Sequence, residues 1–156
     1  MALPPVPFRN VVINIKTGLM ELKLIQWLNA VLNAVNAGPQ SVGTVSLSTQ
    51  SATVNATAVS VPTLPQGLYR MNYYQRIMRA AGVSSSLITQ LAWVDGGVSC
   101  TFTGAAMTAN TVSTTQSASV VMNVDAGTVP TYTLTYASAG SPTMQYSFHA
   151  RLELVP

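Results

Sequence analysis

The chain has 156 residues, and only 7% of them are Asp, Glu, Lys or Arg, against roughly 25% in an average soluble domain. Hydrophobic residues make up 48%, which excludes a disordered chain, because disordered chains are poor in apolar residues. The net charge of +3 rests on seven Lys and Arg, too few for a nucleic-acid-binding surface. No uncharged apolar run reaches the roughly 18 residues that indicate membrane insertion. With so little charge to keep copies apart, we expect self-association.

Residues 1–16 predict an extended arm. Pro4, Pro5 and Pro7 favour polyproline-like backbone, and Val11–Ile15 is expected to form one short strand. Such an arm lies on a neighbouring subunit or frays in solution. The start has neither the basic residues nor the apolar core of a secretory signal, so we expect the protein to be made in a reducing cytoplasm and kept or assembled there.

A helix is predicted over Gly18–Ala37, with Thr17 as its N-cap and Gly38-Pro39 after its end. Apart from one polar stripe, this helix is apolar around most of its circumference, so it must be covered on several sides. Packing on its own domain and association with copies or a docking surface are the two alternatives. The candidate oligomer or docking interface consists of Leu24, Ile25, Trp27, Leu28, Val31, Leu32 and Val35.

The rest of the chain predicts a mainly β fold, with a β-sandwich domain over residues 41–156 that follows the arm and helix of residues 1–40. Turn signals about every 8–12 residues favour an antiparallel, jelly-roll-like β-sandwich. The predicted strands are Thr44–Thr49, Thr53–Val61, Leu68–Ala80, the two arms of Leu87–Phe102, a short strand within Gly104–Ala118, a strand ending at Asp125–Gly127, Thr131–Ala137 and Met144–Leu154.

The hairpin Leu87–Phe102 carries the strongest local signal, because both arms alternate around the turn Asp95-Gly96-Gly97. Cys100 is expected to be a buried, inert thiol. The stretch Leu68–Ala80 also has helical spacing, and its tyrosine content favours a strand. The predicted inward side chains of these strands are Tyr69, Met71, Tyr73, Ile77, Leu87, Leu91, Trp93, Val98, Cys100 and Phe102.

The reactive side chains do not predict an enzyme. Asp95 and Asp125 stand at tight turns, where Asp accepts hydrogen bonds from backbone amides, and Glu153 falls on the outward side of the last strand. One His, His149, and one Cys cannot form a typical zinc site. We therefore expect no catalytic, cofactor or metal site.

One candidate surface remains on the predicted strand Leu68–Ala80. Arg70 and Arg76 share a face, with Tyr74 between them, and this face could contact an acidic partner or a sugar. The alternative is that these are ordinary outward residues of an exposed sheet.

Most of the chain, about residues 10–155, also resembles known proteins. The stretches YRMNYYQRIMRAAGVSSSLITQLAWVDGG and TANTVSTTQSASVVMNVDAGTVPTYTLTYASAGSPTMQYSFHARLELV resemble a β-sandwich module of tailed-bacteriophage virion proteins. Lys16–Met20 with Trp27-Leu28 is similar to the helical leader of small phage tail or head appendage proteins. The motifs of the sandwich part are Ser84–Ser86, Trp93–Gly96, Val124–Gly127, Tyr136–Ser138 and Met144–Tyr146.

This resemblance implies a trimeric jelly-roll or tumour-necrosis-factor-like sandwich anchored by its arm and helix. The expected function is a non-enzymatic virion structural protein, either a short fibre-like appendage or a cement protein that decorates the capsid. Its partners would be copies of itself and capsid or tail proteins. The spacing of Ile25, Leu28, Leu32 and Val35 allows a short helical bundle. The alternative is a carbohydrate- or receptor-binding module that recognises a host surface glycan.

Overall fold

The chain divides into two units, one within residues 1–40 and the other of residues 41–155. The structure, a computed structural model, describes residues 13–14, 19–20, 22–36, 40–59 and 62–155. Side chains are described for residues 25–32, 40–59 and 62–155.

The first unit contains two short strands and a helix. Strand β1 (Ile13–Asn14) pairs antiparallel with β2 (Leu19–Met20), and helix α1 covers Leu22–Asn36. The prediction that the helix begins at Gly18 is wrong, because the backbone of Leu19 and Met20 pairs with β1. The predicted cap Thr17 and the predicted terminators Gly38-Pro39 lie outside the described residues, as does the arm of residues 1–16 apart from β1.

The second unit contains eight strands in two four-stranded sheets. The first sheet has the order β3-β10-β5-β8, and the second sheet has the order β4-β9-β6-β7. The strands are β3 (Gln40–Gln50), β4 (Val54–Ala58), β5 (Gly67–Arg79), β6 (Ser84–Asp95), β7 (Val98–Thr103), β8 (Thr115–Val124), β9 (Thr131–Ala139) and β10 (Gln145–Leu154).

The strand order follows a nested pairing. Strand β6 pairs with β7, β5 with β8, β4 with β9, and β3 with β10. This is one long ribbon whose successive pairs alternate between the two sheets, which is the connectivity of a jelly roll. The predicted jelly-roll-like β-sandwich with one N-terminal helix is confirmed.

Strand β5 shows how the alternating sequence places the core. Tyr69, Met71, Tyr73 and Ile77 are buried, as their period-two spacing predicted. Gln75 shares this inward face and is fully buried, although the pattern of hydrophobic residues did not predict that a polar side chain would be buried there. The Gln75 carboxamide accepts a hydrogen bond from Thr89 Oγ1 (2.7 Å) and donates to the Gln116 carboxamide, so a polar chain connects the two sheets inside the core.

The aromatic centre of the core joins the sheets. The Phe148 ring of the first sheet stacks on Tyr73 at 5.9 Å and on Tyr132 of the second sheet at 5.2 Å. Tyr146 donates a hydrogen bond to the Ala52 carbonyl (2.7 Å). Its burial, followed by the neighbouring Tyr136 and Tyr132, raises the pKa of Tyr146 to about 12. A buried phenol in apolar surroundings stays neutral, because burial disfavours the charged form.

The central hairpin forms as predicted, with β6 paired to β7 across its glycine turn, but two residues of its second arm are less buried than predicted. Gly96 and Gly97 both have positive φ (58° and 76°), as a two-residue hairpin turn requires. Val98, predicted inward, is 63% exposed, and Cys100, predicted buried, is only half-buried. The reason is that β7 is an edge strand of its sheet, so the opposite sheet covers it only in part.

Smaller differences concern strand limits. Strand β3 is longer than the predicted Thr44–Thr49, and β4 is shorter than the predicted Thr53–Val61. In the predicted loop over Gly104–Ala118, Met107 bridges to Leu87 in isolation, and β8 begins within it, at Thr115.

Candidate functional site

The outward side of the first sheet carries most of the charge of the sandwich. Successive residues of a strand point to opposite sides, so every second residue of β5, β8 and β10 faces outward. We call this surface the outer face. Its aligned rows across β10, β5 and β8 are Glu153–Arg70–Val121, Arg151–Asn72–Ser119, His149–Tyr74–Ser117 and Ser147–Arg76–Thr115.

One end of the outer face holds an ion-pair network. Arg70 Nη2 lies 2.9 Å from Glu153 Oε2, and Arg151 Nε lies 3.1 Å from Glu153 Oε1. Asn72 Nδ2 also donates to Oε2, at 3.4 Å. Glu153 lies on the outward side of the last strand, as predicted, and two guanidinium groups cover its carboxylate, so the residue is nevertheless buried.

Arg76 stands at the other end of the outer face and is exposed. Its Nε donates a hydrogen bond to the carbonyl oxygen of Val112 (3.2 Å) in the loop before β8. This contact restrains the guanidinium and leaves its terminal nitrogens for other acceptors. With Arg70, Arg76 and Arg151 against the single carboxylate of Glu153, the outer face has a net formal charge of +2.

A shallow depression of about 250 Å³ lies between β5 and β10, in the middle of the outer face. Its side chains include Asn72, Tyr74, His149 and Arg151. Tyr74 is 42% exposed. The Nδ1 atom of His149 lies 3.1 Å from Ser46 Oγ. An aromatic ring, an imidazole, an amide and a guanidinium thus surround one open site, where they can contact the ring and the polar groups of a ligand.

The sequence predicted part of this arrangement. Arg70, Tyr74 and Arg76 do share one face, and their role in partner contact stays a prediction. His149 is exposed on that face, as its position in the last strand predicted. What sequence reasoning missed is that His149 stands beside Tyr74, and Arg151 beside Asn72. This depends on pairing between β5 and β10, which are distant in sequence and have no local signal.

Helix α1 holds the second set of predicted site residues. Ile25, Leu28 and Leu32 are 39%, 40% and 56% exposed, and Trp27 and Val31 are half-buried. The side chains of the other two predicted members, Leu24 and Val35, lie outside those described. Whether this surface is an oligomer or docking interface stays a prediction.

The two aspartates of the sandwich, Asp95 and Asp125, accept hydrogen bonds at turns. The backbone N–H groups of Gly96 and Gly97 donate to the two carboxylate oxygens of Asp125, at 2.9 and 2.7 Å. Asp95 Oδ1 accepts a hydrogen bond from Asn123 Nδ2 (2.7 Å). Asp125, which enters from the other sheet, thus caps the turn of the central hairpin.

Two kinds of structural feature are absent from the described residues. Among them, no three His, Cys, Asp or Glu residues stand together as a metal site would need. Within that same part of the chain, no helix has the length and apolar character to cross a membrane.

No protein-family model and no curated protein sequence matches the chain. Among solved structures, the chain is similar to a "Family 16 Carbohydrate Binding Module-2", with a TM-score of 0.33 and 15% identity over 76% of this chain and 85% of that one. It is also similar to a carbohydrate-binding module from Cellvibrio mixtus lichenase 5A, solved in complex with cellotriose, with a TM-score of 0.36 and 16% identity over 75% of this chain and 91% of that one. At these scores neither structure assigns a role to a residue of this chain.

Proposed function

We propose that the chain is a non-enzymatic structural protein of a tailed-phage virion, in which copies associate through α1, as a trimer, and dock to capsid or tail proteins. The observation that carries the proposal is the apolar surface of α1, where Ile25, Leu28 and Leu32 are each at least 39% exposed. A soluble chain gains free energy by covering such a surface.

The spacing of these three residues favours copies of the same helix as the cover. Positions separated by three and four residues lie on one side of a helix, so the three side chains form a single stripe. Residues 24–40 contain no charged side chain, so no like charges oppose close contact between copies. A symmetric oligomer buries the same stripe once in each subunit.

The virion assignment rests on the resemblance of the motifs from Tyr69 to Val155 to virion proteins. The jelly-roll connectivity agrees with what that resemblance implies about the fold. Deleting residues 1–37 is expected to leave a folded sandwich that no longer enters particles. Efficient incorporation of the truncated chain would contradict the anchoring role of the arm and helix.

A second candidate function is saccharide binding by the outer face. The observation that favours it is the open depression in which Tyr74 stands beside His149 and Arg151. An exposed aromatic ring offers a flat apolar surface next to hydrogen-bonding groups. A glycan array with the purified protein tests this function, and the absence of any bound glycan would contradict it. The two functions are compatible in an appendage that contacts the host.

A further inference from the structure

We infer that the outer face selects acidic saccharides, whose carboxylate or phosphate groups bind its arginines while a sugar ring lies over Tyr74. This inference rests on the saccharide-binding candidate and adds the chemical class of the ligand. It depends on the distribution of charge over the sandwich, which is uneven.

The arginines of the described sandwich concentrate on this face. Three of the four, Arg70, Arg76 and Arg151, stand on it, and the fourth, Arg79, lies outside its aligned rows, at the end of β5. The three carboxylates of the sandwich are all occupied by hydrogen bonds or ion pairs of the fold. The face therefore keeps positive charge that no carboxylate among the described residues balances.

The guanidinium groups are also held in place before a ligand arrives. Glu153 holds Arg70 and Arg151 through its two oxygens, and the Val112 carbonyl holds Arg76. Each contact uses part of a guanidinium group, whose planar fork has five N–H donors in total. Arginine forks match the oxygens of carboxylates and phosphates. Less rotamer freedom is then lost on binding, because the side chains are already ordered.

The geometry favours an extended ligand over a single ion. Arg70 and Arg76 are six residues apart on β5, which is about 20 Å along a strand. Tyr74 and the depression lie between them. A saccharide chain with one anionic group near each end of this span would contact arginine at both ends and the aromatic ring in the middle.

Calorimetric titration of the full-length protein with two matched probe pairs tests the inference. One pair is tetragalacturonate and its methyl ester, which differ in the charge of the carboxyl groups. The other pair is pentamannosyl phosphate, which has a phosphate at one end only, and neutral mannopentaose, and it tests whether a phosphate at a single arginine is enough. We expect at least one acidic probe to bind about ten-fold more tightly than its neutral counterpart, with the difference shrinking as salt is added.

Three variants locate the binding. Arg76→Gln is expected to lower the affinity for the acidic probe about ten-fold and to leave the neutral probe unchanged, because a hydrogen bond to a charged group is lost. Tyr74→Ala is expected to weaken the binding of both probes of a pair. The matched control is Arg79→Gln, which removes the same charge from an arginine that donates to the Thr143 carbonyl at 2.9 Å and is expected to have no effect.

The outcomes distinguish a failure of this inference from a failure of the saccharide-binding function on which it rests. Equal affinity for acidic and neutral probes would overturn the inference and leave saccharide binding in place. No binding of any of the four probes at about 1 mM would overturn the inference, and a glycan array without any bound glycan would overturn saccharide binding as well. If Arg79→Gln lowers the affinity for the acidic probe as much as Arg76→Gln does, the inference is overturned. The same holds if a single-stranded DNA oligomer binds as tightly as the acidic probe, because the attraction would then be to polyanions in general.

Discussion

The sandwich encloses a core of buried apolar side chains, whereas no described side chain of α1 is buried. In the sandwich, large side chains such as Tyr69, Tyr146 and Phe148 are fully buried. In α1, Leu28 and Leu32 are 40% and 56% exposed. The sandwich therefore obtains its stability from its own two sheets, whereas α1 keeps large apolar side chains partly exposed.

Phe148→Ala is expected to lower the free energy of unfolding of the sandwich by about 3–5 kcal/mol, as for other buried aromatic residues replaced by alanine. The substitution removes the ring that stacks on Tyr73 and Tyr132 and so joins the two sheets. Urea denaturation measures the change. Val121→Ala is the control, because Val121 is 56% exposed and should change stability by less than about 0.5 kcal/mol. Equal effects would contradict the assignment of the core.

Stability is expected to fall as the pH rises from about 10 to about 12. The folded state raises the pKa of Tyr146 from 10.0 to about 12, so in this interval the unfolded chain has lost a proton that the folded chain retains. The contribution is fully present below pH 10 and is lost through pH 12. At roughly 1.4 kcal/mol per pKa unit, the loss approaches 3 kcal/mol.

The measurement is urea denaturation at a series of alkaline pH values, with Tyr146→Phe for comparison. This variant also removes the hydrogen bond to the Ala52 carbonyl, so it starts less stable. Its stability should then fall less steeply with pH than that of the unchanged chain. Identical slopes in the two proteins would contradict the role of Tyr146.

Gln75→Leu is expected to destabilise the sandwich by about 1–3 kcal/mol. The substitution leaves the buried Thr89 hydroxyl without its hydrogen-bond acceptor, and an unsatisfied buried polar group costs about this much. The double variant Gln75→Leu with Thr89→Val removes both partners and should recover part of the loss. A double variant as unstable as the sum of the two single variants would contradict a direct interaction between these residues.

The contrast between the regions also explains what the sequence could predict. The alternation of β5 and the glycine turn of the hairpin are local patterns, and both appear in the structure as predicted. The start of α1 was predicted wrongly, because pairing between β1 and β2 takes the backbone of Leu19 and Met20. The burial of Glu153 by two arginines was missed because it depends on pairing between distant strands.

Substitutions in α1 are expected to have the smallest effect on the sandwich. The double variant Leu28→Gln with Leu32→Gln should change the unfolding free energy of the sandwich by less than about 0.5 kcal/mol, as for surface substitutions. It should nevertheless weaken association, because it places two polar side chains in the apolar stripe. A large loss of sandwich stability would show that the two units depend on each other.

The mass of the full-length protein in solution tests the central proposal most directly. Light scattering at micromolar concentration is expected to give three times the 16.4 kDa of one chain, and the Leu28→Gln, Leu32→Gln variant is expected to give a smaller mass. A stable monomer of the unchanged chain at that concentration would contradict association through α1.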